Sequence, residues 1–99
     1  MTIKKEKKEN CLTFTLEGRL DTTTAPELDN EIKGKLDGIE TLVFDVKDLD
    51  YISSAGLRIF LSAQKTMNKQ GKMIVRGVNE VVREVFDVTG FSDILTIEE

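Results

Sequence analysis

Two adjacent hydroxyls, Ser53 and Ser54, stand before Ala55, Gly56, Leu57 and Arg58, between an apolar run and a helix-like run. Unpaired backbone N–H groups and the helix dipole favour negative charge at a helix start. A serine at that point has two readings. It caps the helix, worth about 1 kcal/mol over alanine. Alternatively it carries a phosphoryl group, with about −1.5 to −2 charges and three acceptor oxygens. The residues alone leave both open. A capping box is missing, because Gly56 and Leu57 stand where Glu or Gln would be. For a phosphate, the N–H groups of Gly56 and Leu57 are candidate donors, and Arg58 lies one helical turn beyond Ser54. No acidic side chain occupies that turn to repel it. The small Ala55 and Gly56 let another protein's active site approach.

Other chemistries are poorly equipped. The chain has no histidine and one cysteine, Cys11. That removes the Ser-His-Asp and Cys-His pairs and makes a zinc site untenable. Gly34-Lys35 and Gly71-Lys72 lack the upstream glycine and following hydroxyl of a P-loop, and no Gly-x-Gly-x-x-Gly occurs. An enzyme is not expected, nor a cofactor or metal. Cys11, placed in a strand, reads as a small packed residue.

Ninety-nine residues make one domain, 1–99. The net charge of −4 argues against a nucleic-acid binder, which needs a basic face. No apolar run approaches the ~18 residues needed to span a bilayer. The charged N-terminus has no apolar signal region, and a lone cysteine forms no internal disulfide. A cytoplasmic protein without nucleic-acid or membrane partners is the expectation, monomeric when free.

The elements that position Ser53 and Ser54 follow from periodicity. Residues 3–9 carry Ile3 among many charges and read as a solvated edge strand, with a turn at Glu9-Asn10. Leu12, Phe14 and Leu16 alternate with polar residues, so one strand face is buried. Gly18 to Glu27 forms a strand exit and helix entry. Pro26 sits in the first turn and Thr24 or a neighbour caps. Leu28, Ile32 and Leu36 mark a helix face that Gly38 ends.

Thr41–Val46 reads as a central strand buried on both faces, and Lys47–Asp50 as a loop. The Ser53-Ser54 helix carries Leu57, Phe60, Leu61 and Met67 and stops near Gly71. Lys72–Arg76 is a strand, paired parallel to the central one through a right-handed crossover. Val78, Val81, Val82, Val85 and Phe86 define a last helix stopped by Thr89-Gly90. Phe91, Ile94, Leu95 and Ile97 form a tail folded onto the core. The order β-β-α-β-α-β-α plus C-terminal tail gives an α/β domain, a mixed central sheet covered by helices.

Tyr51-Ile52-Ser53-Ser54-Ala55-Gly56-Leu57-Arg58, after the strand Leu42–Val46, resembles the signature of bacterial anti-sigma factor antagonists of the STAS domain family. Gly18-Arg19-Leu20-Asp21-Thr22 matches that family's second recurring segment. The resemblance covers essentially the whole chain. It implies a single STAS-like domain that, unphosphorylated, binds an anti-sigma factor and frees a sigma factor. It also implies that the anti-sigma factor is a serine kinase acting on the antagonist, and that a PP2C-type phosphatase reverses the step. The family's phosphoserine maps onto Ser54, and Asp21 onto a residue near it that touches the kinase. Many members carry Asp immediately before the phosphoserine. Here Ser53 stands there, so two hydroxyls are candidates, Ser54 ahead of Ser53. The partner-binding set expected is Asp21, Thr22, Ser53, Ser54, Ala55, Gly56 and Arg58. Asp21 has a second reading, an aspartate that orders a turn. The competing function is a non-switching STAS adaptor subunit of a transport or scaffold complex.

Overall fold

A computed structural model describes residues 1–98. Strands β1 (Thr2–Lys8) and β2 (Cys11–Leu20) form an antiparallel hairpin. Helix α1 (Ala25–Ile32) leads to β3 (Thr41–Ile52), α2 (Ser54–Asn68) to β4 (Lys72–Arg76), and α3 (Glu80–Thr89) through the 3-10 turn Phe91–Asp93 to β5 (Ile97–Glu98). The sheet order is β1-β2-β3-β4-β5, with every pair after the first parallel. The expected order therefore holds, and the tail contributes a fifth strand. Leu95 is buried in the core, while Ile94 is left exposed.

Three successive parallel steps run in one direction across the sheet. Right-handed crossovers then place all three helices on the same face. Burial agrees. Leu12, Phe14 and Leu16 of β2, Leu42, Phe44 and Val46 of β3, and Met73 and Val75 of β4 share one core with Leu28, Leu57, Phe60 and Phe86 of the helices. A ladder of rings crosses it, from Phe14 to Phe44 at 5.7 Å, to Phe60 at 4.6 Å and to Phe86 at 6.4 Å. The expected burial of β3 on both faces holds at Val43 and is partial at Thr41 and Asp45, although the helices lie on one face only. Thr41 and Asp45 face away from the core and are half-buried; Val43, beside them, is shielded within the sheet.

Two further boundaries differ from expectation. Lys47–Asp50 continues β3 instead of forming a loop. Its pairing with β2 shifts register twice, between Thr15 and Glu17 and between Gly18 and Arg19. Each shift inserts one residue into β3, so Val46, Leu49 and Ile52 all reach the core at spacings of three. Period-2 reading misses such a strand. Helix α1 ends at Ile32, not near Gly38. Lys33 leaves the helical region and Gly34 follows at φ 74°. Leu36 reaches the core edge from the connecting segment.

Helix α3 begins at Asn79, whose side chain accepts from the Val82 N–H at 2.9 Å and donates to the Leu49 carbonyl at 2.7 Å. It ends at Gly90, in the left-handed region at φ 82° as a helix terminus favours. Val82 and Phe86 are buried, but Val81, part of the same apolar pattern, is exposed.

Candidate functional site

The site forms where β2 and β3 end side by side. Arg19 pairs with Tyr51 and Leu20 with Ile52. The Ser53 N–H then donates to the Leu20 carbonyl at 2.8 Å. That bond brings the β2–α1 turn against the start of α2, at the carboxyl ends of parallel strands where α/β sheets present their functional residues. Two stretches distant in sequence, 18–22 and 51–58, thereby become one surface.

Asp21 organises the first stretch. Its Oδ1 accepts from the N–H groups of Thr23 at 3.0 Å and Thr24 at 3.1 Å. The Thr24 hydroxyl turns back, accepting from the Asp21 N–H at 2.9 Å and donating to the Arg19 carbonyl at 2.7 Å. Thr24 holds the cap position of α1 by backbone, yet its side chain does not cap. Asp21 satisfies the amides instead. The Thr24 N–H above all holds the Asp21 carboxyl below its ordinary value; burial opposes it, and the Thr23 N–H, the Thr24 hydroxyl and the Arg19 guanidinium add to the lowering. The turn-ordering reading of Asp21 is thus realised. Thr22, next along, is exposed.

The two serines occupy opposite environments. Ser53 is the N-cap of α2, with extended backbone at φ −96° and ψ 177°. Its hydroxyl nevertheless makes no capping bond and is buried without a partner among the described residues. Ser54 is the first helical residue and is exposed. Its hydroxyl has no hydrogen-bond partner among the described residues.

The Leu57 N–H donates to the Ser53 carbonyl at 3.0 Å, so it is not free to receive an anion as expected. The amides preceding it, those of Ser54, Ala55 and Gly56, are the orphan donors of the first turn. Gly56 is buried; a Cβ there would stand 2.6 Å from Cγ of Leu20 and 2.9 Å from Cγ1 of Ile52. Gly56 therefore seats the helix on the sheet and does not itself present a surface. Ala55 is half-buried and Arg58 exposed. Both line a shallow groove of about 380 Å³ between α1 and α2, with Thr22, Pro26, Asp29 and Ser62.

Sequence reasoning missed Arg19. Its guanidinium lies 4.6 Å from the centre of the Tyr51 ring and its Nε 3.6 Å from Asp21 Oδ2. Position beside Asp21 was a hint, but the stacking on Tyr51 depends on the shifted register. Among the described residues no cluster of His, Cys, Asp and Glu is placed to hold a metal. No helix there is long and apolar enough to cross a membrane.

Known proteins share this fold and part of this sequence. BtrV of Bordetella bronchiseptica is 34% identical over 98% of this chain and 85% of its own length. The anti-sigma-B factor antagonist of Staphylococcus aureus is 29% identical over 83% of this chain and 78% of its own. The anti-sigma factor antagonist SpoIIAA has the same fold in its unphosphorylated form, with TM-score 0.79, 17% identity and coverage of 99% and 88%. SpoIIAA from Bacillus in its phosphorylated form gives TM-score 0.77 at 17% identity, covering 99% and 92%. The STAS domain model matches residues 2–99, and this chain belongs to the STAS domain family.

Proposed function

We propose that this chain is an anti-sigma factor antagonist whose partner binding is switched off by a phosphoryl group on Ser54. The unphosphorylated form binds an anti-sigma factor and so releases a sigma factor. That anti-sigma factor is also the serine kinase, and a PP2C-type phosphatase restores the free hydroxyl. The name of the Staphylococcus aureus relative supports the role, and SpoIIAA shows this fold in both phosphorylation states.

One observation carries the reading. Of the two serines at the start of α2, Ser54 alone offers an exposed hydroxyl, while Ser53 Oγ is buried. A phosphate on Ser54 would meet the positive end of a fifteen-residue helix with no acidic residue in its first turn. Arg58 lies one turn on. The modification therefore need not disturb the fold. It adds about −1.5 to −2 charges to the surface formed by Thr22, Ala55 and Arg58. Like charge across an interface costs several kcal/mol, enough to release a partner. Ser53 and Gly56 support this surface from within, and Asp21 fixes the turn that carries Thr22.

The test is binding to the anti-sigma factor encoded in the same cell. Ser54→Ala binds and is not released by ATP, whereas Ser54→Asp binds at least about tenfold more weakly. Equal binding by both would favour the non-switching adaptor.

A further inference from the structure

Helix α3 carries a feature that the Ser54 surface does not use. Val81 is 53% exposed, Val88 80% and Tyr51 of β3 36%. These residues, with half-buried Val85, line one groove of about 320 Å³ whose border includes Glu84 and Thr89. Val81, Val85 and Val88 follow the i, i+4, i+7 spacing of one helix face. Val85 also packs against the edge of the core, but Val81 and Val88 do not serve it, the buried positions of α3 being Val82 and Phe86. Nor does helix propensity favour them, because β-branched residues lose rotamer freedom in a helix. Gathered in one groove, these exposed apolar side chains offer a place for another apolar surface to dock.

Charge selects the occupant. On α3, Glu80, Glu84 and Asp87 run beside the valines at i, i+4, i+7, all exposed. Asp48 and Asp50 are exposed on the neighbouring end of β3. Arg19 at the border is already engaged by the Tyr51 ring and Asp21. A second copy of this chain would bring two such acidic borders together, at a cost. An anionic membrane surface would be repelled for the same reason.

We infer that the Tyr51/Val81/Val85/Val88 face docks an amphipathic helix of another protein, one whose apolar stripe is flanked by Lys or Arg. The apolar stripe fills the groove, and the basic flank meets Glu80, Glu84 and Asp87. Tyr51 is shared with the border of the Ser54 surface, and the valines of α3 lie beyond it.

The test uses the full unphosphorylated chain, isotopically labelled for amide NMR, and three synthetic peptides. The first is a short helix-former with a leucine stripe and lysine flanks. The second replaces its lysines with glutamates. The third has the first peptide's composition in scrambled order. The first peptide should shift the amides of Tyr51, Val81, Val85 and Val88 saturably, and the other two should bind on the order of tenfold more weakly. A double variant, Val81→Asp with Val88→Asp, should abolish the shifts without lowering the melting temperature, since both positions are exposed. Shifts absent from these amides, or equal with the scrambled peptide, would overturn the inference. So would concentration-dependent shifts of the same amides in the protein alone with dimer in sedimentation, which would assign the face to a second copy.

Discussion

Gly56 of α2 packs directly on Leu20 of β2, so closely that a Cβ would stand 2.6 Å from the leucine Cγ. Leu20 is fully buried and Ile52, on the other side, nearly so. Both side chains are packed within the core, so an added methyl there must displace one of them. This contact fixes the height of the α2 N-terminus above the sheet, and with it the position of Ser54. Gly56→Ala gains helix propensity but overpacks the joint. It should lower stability by about 1–2 kcal/mol in urea unfolding, the overpacking cost exceeding the propensity gain. A stability equal to wild type would mean that the joint is slack.

Ser53→Ala separates two accounts of the helix start. A capping serine would cost about 1 kcal/mol on replacement by alanine. Here the hydroxyl is buried and unpaired. Removing an unsatisfied buried group recovers its desolvation penalty, so Ser53→Ala should match or exceed wild type by up to about 1 kcal/mol. Thermal and urea unfolding both read this.

Asp21 sets an acid-sensitive contribution. Its folded pKa lies below the ordinary value of 3.8, chiefly through the Thr24 N–H. The stability it supplies is therefore complete above that ordinary value, and it is lost as pH falls through the lowered folded value. Asp21→Asn retains an acceptor oxygen but cannot ionise. It should be less stable than wild type at pH 7, and the gap should close as pH falls below 3.8. Unfolding curves of the two proteins at several pH values check the sign.

Asn79 joins α3 to β3 through one side chain that serves both as cap and as donor to Leu49. Asn79→Ala removes both bonds and should cost about 2 kcal/mol. Faster amide exchange across Glu80–Arg83 should accompany it.

The fold was largely legible in the sequence because each element carries its own period. Alternation in Leu12, Phe14 and Leu16 marked β2, and Pro26 marked the first turn of α1. What escaped depends on pairing. Lys47-Asp48 and Asp50 look like a loop, yet they extend β3 because register shifts against β2 let Leu49 and Ile52 reach the core. Apolar spacing identifies α3 but cannot say which of its apolar positions meet the sheet, and Val81, within the pattern, is exposed. At the site, the residue types drew attention to Ser53 and Ser54. Their opposite environments follow from where the helix begins, a matter of one residue. The pairing of Arg19 with Tyr51 is set by the sheet alone.

Peptide mass spectrometry on the protein taken from its own cells, before and after a change of growth condition, tests the central claim most directly. A phosphoryl group on Ser54, with occupancy that changes with condition and none on Ser53, is the result predicted. Persistent absence of phosphate across conditions, or its presence on Ser53, would contradict the switch and return Ser54 to a structural helix start.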